Sequence, residues 1–161
     1  MKKISVKKNH VIRIAALLIW CAVIFLFSAN NSDESNAQSN ALFEFIVRFI
    51  NPAYESMDPA AQLKYHDTAT FIIRKLAHFT EYAILGALAF SALWKIGRTK
   101  LRAVCASLFG LLYACTDEFH QLFVSGRSGQ IRDVFIDFSG AVFGTLIAVY
   151  FLSRVDRHFK E

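Results

Sequence analysis

The chain of 161 residues lacks the usual signatures of several protein classes. It has no internal repeat, which sets solenoid and propeller architectures aside. It has no glycine-rich loop of the kind that cradles nucleotide phosphates. Its three cysteines, Cys21, Cys105 and Cys115, lie inside apolar runs without metal-ligand spacing. They read as small buried side chains, and neither a disulfide framework nor a zinc site follows from them. Acidic residues are scarce in the interior of the apolar runs, and none occurs between Tyr82 and Trp94.

What is present is apolar. Residues of the hydrophobic class make up 55% of the chain, 16 of them phenylalanine, and the mean hydropathy is +0.36. An ordinary soluble domain is nearer 45–50% apolar. A bilayer is therefore the expected solvent for much of this surface. The formal net charge of +5 could suggest nucleic acid. The cations flank apolar runs instead, so membrane topology explains them better and no nucleic-acid partner is expected.

Four segments have the roughly 17–25 residues that a spanning helix needs, once their polar ends are included. They cover about 11–29, 73–94, 101–123 and 133–152. The first follows a basic head, as a secretory signal would. Phe27, however, stands three residues before the only plausible cleavage point, where a small residue is required. An uncleaved helix is expected.

Charge counting orients the spans. With both termini cytoplasmic, twelve of the 18 Lys and Arg fall on inner segments, and all acids except Asp156 and Glu161 fall outside. The sequence thus predicts an all-α, integral membrane four-helix bundle in a plasma membrane, with a long extracytoplasmic loop at about 30–72 and a short one at about 124–132. Within the long loop, 30–40 is rich in Asn and Ser and reads as a solvated linker. Ala41 to Ile50 is apolar except for Glu44 and Arg48, four residues apart on one face. It reads as a short interfacial helix on the outer leaflet, ended by Asn51-Pro52. A second short helix is expected from about Pro59 to Tyr65.

The polar residues that matter sit at the outer ends of the spans. Arg74, His78, Glu81 and Leu85 fall at i, i+4, i+7 and i+11, on one helical face. Asp117, His120 and Gln121 share a second face, and Asp133, Asp137, Gly140 and Gly144 a third. Small residues four apart let membrane helices approach closely, so Gly140 and Gly144 would draw the stripes together. Ionisable groups inside membrane segments are functional hypotheses by default. The turn from Val124 to Arg132 adds two glycines and two arginines. With Arg74 and Lys75, Arg127 and Arg132 would ring the site with cations suited to phosphate or carboxylate.

In order along the chain come Arg74-Lys75, His78-Phe79-x-Glu81-Tyr82, Asp117-Glu118-x-His120-Gln121, Gly126-Arg127 and Asp133-x-x-x-Asp137-x-x-Gly140. This series resembles the VanZ-like family of small bacterial membrane proteins, closely from about Ile72 to Gly144. Ser125 departs from it, since proline precedes the Gly-Arg pair in many members. The resemblance implies a multi-pass envelope protein with a link to tolerance of the glycopeptide teicoplanin. It supplies no mechanism and no cofactor.

Two roles stay open for the polar residues. Arg74, Lys75, Gln121, Arg127, Asp133 and Asp137 are candidates to bind an anionic membrane lipid or a lipid-linked cell-wall precursor. His78, Glu81, Asp117 and His120 are candidates for proton transfer, and His78 and Glu81 alternatively for metal ligation, if the protein is a hydrolase or transferase acting on envelope lipids. Each could equally be structural, through hydrogen bonds or Asp–Arg pairs that close the end of the bundle. Asp133 and Asp137 are possible partners of Arg127 and Arg132, and Glu118 of Arg127 or Lys75.

Asp117-x-x-His120 is similar in spacing to half of a di-iron bundle motif, but only one copy is present. Arg127-x5-Asp133-x3-Asp137 is similar to the Arg-x5-His-x3-Asp motif of membrane lipid phosphatases. Asp133 stands where their nucleophilic histidine is required. A proton-coupled transporter would need a polar path through the membrane, and the apolar inner halves of the spans argue against one.

Overall fold

The computed structural model describes residues 2–158, with side chains over 10–151. The described residues form five α-helices and one 3-10 turn, with no strand. They are α1 (Lys2–Ser28), α2 (Ser32–Ile50), α3 (Pro59–Ala92), α4 (Thr99–Gln121) and α5 (Ile131–His158).

The outer segment 30–72 differs from the expectation of a linker with two short helices. It is a helical hairpin. The Asn and Ser stretch forms the first turns of α2, because Asn31 and Glu34 make a reciprocal cap. Asn31 Oδ1 accepts from the Glu34 backbone N–H at 2.9 Å, and Glu34 Oε2 accepts from the Asn31 N–H at 3.1 Å. Such a box satisfies two otherwise orphaned donors, and its Ncap side chain alone is worth about 0.5–2 kcal/mol. Asp33 and Glu34 in the first turn and Arg48 in the last suit the helix dipole.

The short helix expected at Pro59 is the first stretch of α3. Asp58 accepts from Ala60 and Ala61, and Pro59 needs no donor at the first helical position. At 34 residues, α3 is far longer than the roughly 20 that cross a bilayer core. Its N-terminal part carries α2. The helix expected to lie on the outer leaflet thus leans one face on α3. There Phe43 and Val47 are buried, and Phe43 stacks edge-on against Tyr54 and His66. The other face leaves Leu42, Phe45 and Phe49 exposed, and Ile50 is exposed at the end of the helix.

Among the described residues, two helices are long and apolar enough to cross a membrane: His10–Ser28 within α1, at mean hydropathy 2.5, and Ile131–Phe151 within α5, at 1.8. The other long helices carry more charge. Lys100 and Arg102 at one end of α4, and Asp117 and Glu118 at the other, shorten its uncharged stretch. In α3, Arg74, Lys75 and Glu81 do the same.

The core is built on α5, which packs against both α3 and α4. Tyr82, Leu85, Ala114 and Ala141, joined by Ile24 of α1, form one buried cluster. Ala89, Phe90, Ala106 and Ala148 form a second. The α3–α5 seam depends on missing side chains. A Cβ on Gly140 would strike the Phe79 carbonyl, and one on Gly144 the Ala83 carbonyl. From the facing helix, a Cβ on Gly86 would strike the Ala141 carbonyl.

Polar contacts at mid-helix tie α1 to this seam. Trp20 Nε1 donates to the Glu81 carbonyl at 2.9 Å, and Tyr113 Oη to the Cys21 carbonyl at 2.6 Å. At the far end, Arg102 is buried over the Phe90 ring, and Trp94 Nε1 donates to His10 Nδ1.

A glycine scan checks the seam. Gly144→Ala and Gly86→Ala should each lose about 1–3 kcal/mol by overpacking. Gly97→Ala, with nothing within 4 Å, should lose none. Thermal unfolding in detergent compares the three.

Candidate functional site

α3 and α5 run in the same direction, so their polar ends coincide. Lys75 Nζ meets Asp133 Oδ1 at 2.5 Å. One turn further, His78 Nδ1 faces Asp137 Oδ1 at 3.7 Å, beyond hydrogen-bond reach. Both aspartates were open as partners of Arg127 and Arg132. Asp133 pairs with Lys75 of α3 instead, and Asp137 faces His78 without bonding it, because the glycine seam holds α5 against α3. Asp137 is fully buried, and neither of its oxygens has a hydrogen-bond partner among the described residues.

On α4, Asp117 is buried, and the Ser28 hydroxyl, Tyr82 hydroxyl and Gln121 amide face it. Only Gln121 Nε2, at 3.4 Å, has hydrogen-bond geometry. Glu118 bonds neither Arg127 nor Lys75. Its Oε2 accepts from the Gln130 backbone N–H at 2.8 Å, which ties the end of α4 to the start of α5. His120 turns toward α1 and packs on Phe25, with ring centroids 4.6 Å apart.

Arg127 projects from the α4–α5 turn. That turn needs Gly126, whose φ of +73° belongs to the left-handed region and whose missing Cβ leaves room for the Ser32 side chain. Arg127 Nε donates to the Asn30 carbonyl at 3.2 Å. Arg74 Nη1 donates to Asn36 Oδ1 at 2.6 Å. Among the described residues, neither guanidinium is within ion-pair distance of a carboxylate. Partial burial and the neighbouring Arg74 cation push the Arg127 pKa below its ordinary value, while Asp117, Glu118 and Glu81 pull the other way. Its guanidinium stays charged throughout the physiological range.

Two cavities meet at Arg74, His78, Arg127 and Ser35. The outer, of about 250 Å³, is walled by Ser32, Lys75, Gln121, Ser128, Gln130 and Asp133, with Phe71 and Gly126. The inner, of about 180 Å³, has Glu81 and Asp117 at its base and Ile24, Phe27, Leu42, Ile73 and Ala77 along its walls.

The structure therefore brings Arg74, Lys75, His78, Glu81, Asp117, Gln121, Arg127 and Asp133 onto the two cavities. Asp137 stands behind His78, His120 lines neither cavity, and Arg132 is exposed outside both. No group of three or more His, Cys, Asp or Glu among the described residues is arranged to hold a metal ion. Sequence reasoning missed Asn36 and the Asn30 carbonyl. Asn36 was hidden by the linker reading, and a backbone oxygen leaves no signal in a sequence.

A family model described as VanZ/LLP1 matches residues 13–153, which takes in every helix of the site. The chain belongs to the VanZ/LLP1 family. No curated protein and no solved structure matches it. Membership and the two long apolar helices together point to a membrane protein. In this VanZ/LLP1 chain the motif residues of α3, α4, α5 and the intervening turn face one another across two joined cavities.

A double-mutant cycle isolates the α3–α5 pair. Lys75→Ala strands Asp133, and Asp133→Ala strands Lys75. With side chains 23% and 16% exposed, their coupling should reach about 1–2 kcal/mol after solvent screening. Unfolding midpoints of the two single variants and the double variant measure it. Additive effects would remove the pair from the account.

Proposed function

We propose that this protein crosses a bacterial plasma membrane four times, at about 11–29, 73–94, 101–123 and 133–152, with both termini in the cytoplasm. Its polar cleft opens outward and binds the anionic headgroup of a phospholipid or of a lipid-linked cell-wall precursor. Through that binding it contributes to tolerance of teicoplanin-type glycopeptides. The distribution of Lys and Arg supports the topology, and family membership supports the envelope role.

One observation carries the binding reading. Arg74 and Arg127 border both cavities, and among the described residues only neutral oxygens accept from their guanidiniums. Two guanidiniums with no carboxylate in ion-pair range, in a half-buried mouth, attract an anion, and their planar forks suit phosphate oxygens. Lys75 adds charge at the rim but is already neutralised by Asp133. Gln121 offers an uncharged contact.

A second reading, acid–base hydrolysis or transfer on an envelope lipid, has its own observation. His78 borders both cavities, with a buried carboxylate, Asp137, behind its Nδ1. A histidine backed by a carboxylate is a common general-base arrangement. Glu81 and Asp117 line the inner cavity together with His78. A transporter has less support, since the inner half of the bundle is packed with Ala89, Phe90, Ala106 and Ala148.

Native mass spectrometry of protein purified in mild detergent tests the binding reading. The wild type should carry a phospholipid or polyprenyl phosphate. Arg74→Ala and Arg127→Ala should each weaken retention about tenfold to a hundredfold, the worth of a charge-assisted hydrogen bond. A folded double variant that keeps its lipid would overturn the reading.

A further inference from the structure

The inner cavity has a character that headgroup binding does not use. Its floor is polar, and Ser28, Ser35, Gln38 and Ser39 line it from α1 and α2, but Ile24 and Phe27 of α1, Leu42 of α2, and Ile73 and Ala77 of α3 give it an apolar side. α1 and α2 each pack on α3 and make little contact with each other beyond the turn that joins them. The cavity lies in that gap. Phe27 and Leu42 stand half-exposed at its edges. The apolar walls begin at Ile24 and Phe27, on the stretch His10–Ser28 that is apolar enough to lie in hydrocarbon. The charged junction of Arg74 and Arg127 stands where the slot meets the polar outer cavity.

We infer that the gap between α1 and α2 is a lateral slot for the hydrocarbon chain of the anionic ligand. The ligand class is thus a single-chain or chain-accessible amphiphile with a phosphate next to its chain, held head-out and tail-sideways. The inference rests on the anion-binding reading of Arg74 and Arg127. The phosphate sits at the junction of the cavities. The first carbons of the chain pass between Ile24 and Phe27 on one side and Leu42 and Ile73 on the other. The remainder of the chain continues into the outer leaflet. A bulky sugar or peptide group, if present, would occupy the polar outer cavity that Ser128 and Gln130 line.

Chain length is the variable this geometry controls. Each methylene moved from water into an apolar slot improves binding about fourfold, the equivalent of 0.8 kcal/mol. A free phosphate, or a phosphate carried on a short polar group, gains nothing from the slot. Charge complementarity favours an acyl or prenyl phosphate over an uncharged lipid. An uncharged chain would leave both guanidiniums facing an empty mouth.

The test uses the full chain in detergent, with inorganic phosphate and n-alkyl phosphates from methyl to octyl below their micellar concentrations. Isothermal titration reads affinity. The wild type should bind inorganic phosphate weakly and gain about fourfold per methylene over the first several carbons, then level off. Leu42→Gln and Ile73→Asn should flatten that gain by tenfold or more at octyl phosphate while holding inorganic-phosphate affinity within about twofold. Leu42 is already 45% exposed, so its variant keeps the fold testable. If phosphate binds and chain length adds nothing, the slot is wrong and the anion site stands. If the gain persists undiminished in both variants, the chain enters detergent rather than the slot, and the inference falls. If no phosphate of any length binds, the anion-site reading falls as well.

Discussion

The close approach of α3 and α5 sets everything else in this structure. Gly140 lies over the Phe79 carbonyl and Gly144 over the Ala83 carbonyl, in a register that also sets Lys75 against Asp133 and His78 against Asp137. The two helices are parallel, with α4 as the return path between them. A parallel pair brings two polar ends to the same place, whereas an antiparallel pair would separate them. Leaving out the side chains on the seam therefore does two things. It allows backbone packing where the hydrophobic effect between helices is absent in lipid, and it fixes which carboxylate faces which cation.

The charges so assembled are unequally satisfied. Lys75 and Asp133 compensate each other at the rim. Asp117 faces hydroxyl and amide groups, and Glu118 holds a backbone N–H. Among the described residues, Asp137 has no partner in hydrogen-bond range, and Arg74 and Arg127 have only neutral ones. Burying a polar group without a partner is costly. Such groups gathered at one mouth do not add to stability, and they are the basis of the ligand-binding proposal. The hairpin of α2 and the start of α3 completes the mouth, since Asn36 and Ser35 reach the junction from α2.

Much of this was legible in the sequence. Helical spacing placed Arg74, His78 and Glu81 on one face and Asp133 and Asp137 on another. Gly140 and Gly144 announced the seam, because few side-chain patterns other than small residues allow such an approach. The outer hairpin was not legible by composition, since Asn and Ser occur in loops and in helix caps alike. Only the Asn31-x-x-Glu34 spacing distinguishes the two. The partners of the aspartates were missed because proximity in sequence favoured Arg127 and Arg132, whereas tertiary register chose Lys75 and His78. The exposure of Arg132 and the turning of His120 toward Phe25 depend on helix rotation, which spacing alone fixes only to within a face.

The central claim is that Arg74 and Arg127 form one anion site at the junction of the two cavities. An experimental structure of the protein with bound tungstate, a heavy stand-in for phosphate, tests it most directly. The account predicts an anomalous peak bridging both guanidiniums, with Arg74 drawn from Asn36 and Arg127 from the Asn30 carbonyl. A peak elsewhere, with both arginines still on those neutral oxygens, would contradict it.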